Sequence, residues 1–393
     1  MNRTIGFDIS ALDTSFKEHS ARGIGRYVSE LKNYFDSANT NGTAVKYFDH
    51  TLFSKNSIID RLIDSSPIGR DTLKQQIIYP LRLKSRVTSE YSGLHFPAHM
   101  DAPSWSRKPY ILTVLDIIPL VLKDLYSADN PGWKFKLARF LELRAIKSAS
   151  VILAISQCTA DDLNRVLNIP YEKIVVTPLG VDTKFFDEVS PEKRKDLRLR
   201  YKIPENDQYV LYVGGIDPRK NYKLMLESFS NLLKMCSGNS LPQPSLVLAG
   251  RIETDREYPK LLEIIAKLGL KDRVILTGFV PDEELRIMLK EAEVFFFPSL
   301  YEGFGLPPLE AMAAGTPVVS SDKSSMPEVL GKAALYFDPS NSQQAAERLF
   351  EVISNSNKAR SMSEAGIAQA KNFSWSKTGD LTLKAYEFFL NGQ

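Results

Sequence analysis

Short runs of apolar, β-branched and aromatic residues recur along this chain, separated by longer stretches in which apolar residues return every three or four positions. The runs fall at residues 4–9, 44–48, 94–96, 110–115, 151–155 and 174–177 in the first half. In the second half they fall at 209–213, 245–249, 274–277, 294–297, 317–320 and 334–337. Strand-like runs alternating with helical periodicity predict parallel sheets built from βαβ units. Residues 343–353, 359–370 and 374–390 read as helices, the last with Trp375, Leu381, Leu383, Tyr386 and Phe389 as its apolar positions. No internal repeat or low-complexity tract interrupts the pattern.

Between the two sets of runs, residues 184–208 are charged, carry few apolar residues beyond Phe185 and Phe186, and are punctuated by Pro191 and Pro204 around a short basic helix. This stretch reads as an interdomain connection. The expected organisation is an N-terminal Rossmann-like domain over 1–186, a second over 187–373, and a C-terminal helix over 374–393 that returns to the first. At roughly 150 residues per domain, a length of 393 residues gives an expectation of two to three domains. Open parallel sheets place functional loops beyond the carboxyl ends of their strands, so two that face each other put the expected site in a cleft between them. In the second half, four runs are followed by loops bearing glycine: Gly214-Gly215, Gly250, Gly278 and Gly303 to Gly305.

Composition narrows the class. Hydrophobic residues make up 43% and charged residues 25%, as in folded globular chains. No stretch approaches the roughly 20 apolar residues that span a bilayer, and the N-terminus passes from Met1 into a strand pattern without the apolar core of a secretory signal. Cytoplasmic residence is the expectation. The two cysteines, Cys158 and Cys236, form no C-x-x-C pair, which argues against a disulfide framework or structural zinc and for small buried hydrophobes. With 50 basic and 47 acidic residues, the balance excludes a dedicated nucleic-acid binder, and any anion site must be local.

Two segments carry candidate chemistry. Gly214-Gly215-Ile216-Asp217-Pro218-Arg219-Lys220-Asn221 follows a strand and precedes a helix. Its glycines admit a ligand close to the backbone, Arg219 offers a bidentate fork and Lys220 a point charge, a combination suited to a diphosphate. The same residues are also compatible with a turn whose basic pair is merely solvated. Ser299-Leu300-Tyr301-Glu302-Gly303-Phe304-Gly305-Leu306-Pro307-Pro308-Leu309-Glu310 combines a tight loop with prolines suited to a first helical turn. Glu310 then lies near a helix N-terminus, able to accept hydrogen bonds from a vicinal diol such as ribose, while Glu302 projects from the loop. A dipole complement and a surface charge remain the alternatives for the two carboxylates.

The E-x7-E element, the Pro-Arg-Lys-Asn loop and Ala313-Ala314-Gly315-Thr316-Pro317-Val318-Val319 resemble family 4 retaining glycosyltransferases of the GT-B fold. In the N-terminal half, Ile5-Gly6-Phe7-Asp8, Gly23-Ile24-Gly25-Arg26-Tyr27, Ile155-Ser156-x-x-Thr159 and Gly180-Val181-Asp182 resemble signatures of bacterial polysaccharide and O-antigen mannosyltransferases. The resemblance covers nearly the whole chain. It implies an α/β GT-B architecture and transfer of a hexose from a nucleotide-sugar to a saccharide with retained anomeric configuration and no essential metal or other cofactor. GDP-mannose is the donor it favours, and a lipid-linked saccharide in surface polysaccharide synthesis is the acceptor type.

By this likeness Arg219 and Lys220 hold the donor diphosphate, Glu310 the ribose and Glu302 the donor sugar hydroxyls. Phe304, Gly305 and Leu306 supply backbone contacts to sugar and phosphate. Gly23 and Gly25 form an N-domain glycine loop near diphosphate and acceptor, and Val280 lies where backbone meets the base. Two positions depart from the family's pattern. Leu115 stands where a histidine is expected before Asp116, and Leu179 where asparagine is usual. Asp116 reads either as an acceptor-site carboxylate or as a cap on the following turn. A glucosyl- or other hexosyltransferase using a UDP-sugar, an epimerase or phosphorylase on the same fold, and a non-catalytic nucleotide-sugar-binding subunit are the competing readings.

The remaining candidates carry less. His19, His50, His95 and His99 have no metal-ligand spacing. Ser325-Met326-Pro327-Glu328 fits a helix capping box. Basic residues interleave with apolar ones over 81–87 and 133–144, which fits a face resting on anionic lipid at the inner side of a membrane. The latter stretch equally fits a helix whose Trp133, Leu137, Phe140 and Leu141 pack on the sheet.

Overall fold

The computed structural model describes residues 3–13, 23–38, 42–49, 90–106, 108–126 and 132–392, and its strands follow the twelve apolar runs. The first sheet contains β1 (Thr4–Asp8), β2 (Ala44–Phe48), β3 (Gly93–Phe96), β4 (Tyr110–Val114), β5 (Val151–Ala154) and β6 (Ile174–Val176), in the order β2-β1-β3-β4-β5-β6. The second contains β7 (Tyr209–Val213), β8 (Ser245–Ala249), β9 (Val274–Gly278), β10 (Val294–Phe297), β11 (Val318–Ser321) and β12 (Ala334–Phe337), in the order β12-β11-β10-β7-β8-β9. Every pairing is parallel. Helical crossovers cover such sheets, which is why the central strands are apolar throughout: Phe295, Phe296 and Phe297 in β10 and Tyr209 to Tyr212 in β7 are all fully buried.

Strand order reverses at one place in each sheet. In the first, β1 sits between β2 and β3; in the second, β7 sits between β8 and β10. At such a switch point the crossovers run to opposite sides, leaving a crevice beyond the carboxyl ends of the strands. The basic loop follows β7 and the Glu302 loop follows β10, so the two segments singled out in the sequence share the crevice of the second sheet.

The chain divides into two compact units, Met1–Gly180 with Trp375–Gln393, and Val181–Ser374. The charged stretch 184–208 is packed inside the second unit. Phe185 and Leu197 are buried, and Arg194 and Arg198 hold the two oxygens of Glu291 at 2.9 and 3.1 Å. The C-terminal helix Trp375–Asn391 is joined to the first unit through a buried polar chain. Tyr386 Oη lies 2.7 Å from His95 Nδ1, His95 Nε2 lies 2.8 Å from Thr113 Oγ1, and Thr113 Oγ1 lies 3.1 Å from Tyr27 Oη. Burial pushes the His95 imidazole down to about 3, so it is neutral at physiological pH.

Among the described residues no helix is long and apolar enough to cross a membrane. Trp133 and Phe140, offered above as sheet-packing residues, are instead exposed at 58% and 59%. The other basic stretch, 81–87, lies outside the described residues, as do His19 and His50.

Candidate functional site

The second unit builds its site where β7 and β10 end. Gly214 leaves β7 and donates its N–H to the Ala249 carbonyl of β8 at 2.9 Å. Gly250, with φ +154°, passes so close to this turn that any Cβ would strike the Gly214 carbonyl oxygen. The Ile216 amide donates to Asp255 Oδ2 at 2.7 Å, and Asp217 Oδ1 accepts from the Arg219 amide at 3.0 Å. These bonds fix the short turn Pro218–Lys220, from which Arg219 and Lys220 project. Asn221, at φ +58°, then starts the helix Tyr222–Gly238.

The loop after β10 is sewn to this turn. Leu300 donates its amide to the Arg219 carbonyl at 2.7 Å, and Arg219 Nη1 reaches the Tyr301 carbonyl at 3.3 Å. Arg219 Nη1 also donates to Glu302 Oε2 at 2.8 Å, while Lys220 Nζ donates to Glu302 Oε1 at 2.6 Å. Lys220 further lies 5.3 Å from the centre of the Phe297 ring. One carboxylate thus faces two cations. Burial alone raises the Glu302 carboxyl, but the charges of Lys220 and Arg219 outweigh it and hold Glu302 below its usual range. Burial pulls the Lys220 ammonium down, and adjacent Arg219 adds to this while Glu302 offsets only part of it.

Beyond Glu302 the chain turns sharply. Gly305, at φ +103°, has no room for a Cβ because Met326 Cε occupies that space. The helix Leu306–Ala314 begins there with Pro307 and Pro308 in its first turn, and Glu310 sits in its second turn, 4% exposed. Phe304 is buried edge-to-face against Phe373 with centroids 5.7 Å apart, so its ring belongs to the core. At the end of β9, Gly278 is followed by exposed Phe279, whose ring faces the Arg251 guanidinium at 4.9 Å, and by buried Val280.

Ser324 and Ser325, which support this loop, had no functional reading in the sequence. Glu302 donates its amide to Ser324 Oγ at 3.0 Å, and Ser325 Oγ bonds the carbonyls of Glu302 and Phe304 at 3.0 and 2.9 Å. The Ser325 half of the expected capping box is therefore not formed: its hydroxyl makes no cap bond to the helix Met326–Leu330 because it turns toward the Glu302 loop. Asp255 is a further supporting residue without a sequence signal, since its partner Ile216 lies 39 positions away.

In the first unit Gly23 and Gly25 are the opening residues of the helix Gly23–Ser37 rather than of a free loop, and Gly25 is buried. Asp116 Oδ1 accepts the Ile118 amide at 3.1 Å, closing the turn after β4, and the side chain is only partly buried. His99 is buried with Nε2 2.9 Å from Glu142 Oε1, and His95 lies in the core network described above. Cys236 is buried and Cys158 partly so. Among the described residues no group of three or more His, Cys, Asp or Glu is placed to hold a metal ion.

Residues 193–369 match the family model "Glycosyl transferases group 1" and residues 21–185 match "Glycosyltransferase Family 4". The chain is 32% identical to the O-antigen chain mannosyltransferase B of Escherichia coli, over 93% of this chain and 96% of that protein. It is 30% identical to the serotype-specific mannosyltransferase WbdA of Escherichia coli over 69% of this chain, spanning 32% of that longer protein. In three dimensions it resembles HepE of Anabaena, solved in complex with UDP and glucose, with a TM-score of 0.70, 19% identity, and coverage of 98% of this chain and 99% of that one. The two parallel sheets and this likeness define a GT-B fold, and the sequence relationships establish that the chain belongs to the group 1 and family 4 glycosyltransferases.

Proposed function

We propose that this glycosyltransferase is a retaining, metal-independent hexosyltransferase that moves mannose from GDP-mannose to a saccharide acceptor in surface polysaccharide synthesis. The observation that carries the reading is the convergence of Arg219, Lys220 and Glu302 at the switch point of the second sheet. Cleaving a glycosyl phosphate builds positive charge on the sugar and negative charge on the departing diphosphate. Cations fixed at the leaving group therefore stabilise the transition state more than the ground state.

In this reading Arg219 and Lys220 take the diphosphate, Glu310 the ribose, Glu302 the sugar hydroxyls, and the backbone at Phe304, Gly305 and Leu306 the sugar and phosphate. Val280 meets the base. The acceptor hydroxyl attacks from the side the leaving phosphate vacates, and that phosphate takes its proton, which retains the anomeric configuration. Gly23, Gly25 and Asp116 are the acceptor-side residues of the first unit. Leu115 has no proton to give, so catalysis rests on positioning and charge.

Mannose is favoured by the names of the E. coli relatives, whereas the UDP and glucose of HepE favour a UDP-glucose donor as the second reading. A cytoplasmic site at the inner face of a membrane, with a lipid-linked acceptor, is supported by exposed Trp133 and Phe140 beside exposed Lys136, Arg144 and Lys147 on the helix Trp133–Ser148. The test is donor consumption and glycoside formation with GDP-mannose and UDP-glucose against a panel of lipid-linked and free oligosaccharides, with product anomers assigned by NMR. Transfer from GDP-mannose with an α-linked product is expected. Nucleotide-sugar binding without turnover across the panel overturns the enzyme reading, and an inverted anomer overturns the mechanism.

A further inference from the structure

Glu302 consumes the same hydrogen-bond donors that a donor diphosphate would need. Its two oxygens take Lys220 Nζ at 2.6 Å and Arg219 Nη1 at 2.8 Å, and Glu302 and Lys220 are both largely buried. Three supports hold the backbone that presents the carboxylate. The Glu302 amide is tied to Ser324, its carbonyl to Ser325, and the preceding Leu300 amide to the Arg219 carbonyl. The backbone there cannot move without breaking several bonds, so any shift of the carboxylate is a side-chain rotation on a fixed loop.

We infer that Glu302 is a built-in counter-anion of the diphosphate subsite, one that holds Arg219 and Lys220 in register while weakening the hold on the nucleoside diphosphate product. The inference rests on the diphosphate reading of these two cations. A phosphate oxygen arriving at Lys220 and Arg219 must either bind them next to the Glu302 carboxylate, where like charges repel at low effective dielectric, or displace that carboxylate toward the sugar. Either route lowers the affinity for a bare diphosphate. For the intact donor, the sugar hydroxyls give the carboxylate new partners and recover part of the loss. The product has no sugar and recovers none. The arrangement thus separates donor affinity from product affinity with a single side chain and favours release after transfer.

The experiment is calorimetric titration of inorganic pyrophosphate, GDP and UDP into the full-length wild type and into Glu302→Gln, Lys220→Ala and Arg219→Ala, with folding checked by circular dichroism. Glu302→Gln keeps a hydrogen-bonding oxygen but removes the charge, and is expected to bind pyrophosphate about tenfold more tightly than wild type. Lys220→Ala and Arg219→Ala are expected to bind it more weakly. If both cation variants weaken binding while Glu302→Gln binds no more tightly than wild type, the counter-anion role is overturned and the diphosphate site stands. If neither cation variant alters binding, the diphosphate reading falls and the counter-anion role with it. Should Glu302→Gln not fold, Glu302→Asp keeps the charge but withdraws it by one methylene. Tighter pyrophosphate binding in that variant supports the role, and equal or weaker binding overturns it.

Discussion

Ser325 reaches back 23 positions to donate its hydroxyl to the carbonyl of Glu302 at 3.0 Å, sharing it with Phe304 at 2.9 Å. This fully buried serine fixes the backbone that presents the carboxylate. Ser325→Ala leaves two buried carbonyls without this donor and is expected to cost about 1–3 kcal/mol of stability. Chemical denaturation measures it. Transfer by the folded variant is expected to fall through kcat, because a looser Glu302 no longer aligns the two cations.

Lys220→Ala and Arg219→Ala are expected to lower kcat/KM by roughly 10- to 150-fold each, the value of one charge-assisted contact of about 1.5–3 kcal/mol. Steady-state kinetics with the identified donor is the check. Activity within twofold of wild type in both variants contradicts the diphosphate role.

Glu310→Ala is expected to raise the donor KM with a smaller effect on kcat, since a ribose contact is the same in ground and transition states. Glu302→Ala is expected to act mainly on kcat, because in the proposed role it contacts the sugar, whose charge changes during reaction. The opposite kinetic pattern would exchange the two roles.

Transfer is expected to survive excess EDTA, since in the proposed mechanism Arg219 and Lys220 meet the leaving-group charge that a metal would otherwise neutralise. Loss of activity restored by Mg²⁺ or Mn²⁺ would assign that task to a metal instead.

His95 makes the first unit pH-sensitive. Its folded value of about 3 lies below the ordinary 6.5, so below pH 6.5 the unfolded chain takes up a proton that the folded chain refuses. Its contribution is therefore complete above pH 6.5 and declines as pH falls toward 3, by about 2 kcal/mol between pH 6.5 and 5. Denaturation of wild type and His95→Gln at pH 7 and pH 5 is expected to show a smaller acid loss in the variant. Equal losses would mean that His95 is not the titrating group.

All twelve strands were legible in the sequence as short runs rich in apolar, β-branched and aromatic residues: the central ones are buried on both faces and so apolar along their length, and βαβ alternation marks even the partly exposed edge strand β2. The Arg219-Lys220 turn and the E-x7-E segment were legible for a related reason: glycine, proline and charge are concentrated within a few consecutive positions. What the sequence left open was pairing across the chain. Glu302 and the two cations were assigned separate duties, and only the neighbouring positions of β7 and β10 in the sheet bring residues 82 and 83 positions apart into one ion-pair cluster. Ser325 carried the pattern of a helix cap, yet its hydroxyl serves a loop that only the adjacency of β10 and β11 brings within reach. His95 lies within the 94–96 run, but its partners, Thr113 on β4 and Tyr386 on the last helix, come from distant parts of the chain. Local conformation follows from nearby residues and their solvation, whereas a polar side chain's partner is set by strand order and crossover, which no short window of sequence contains.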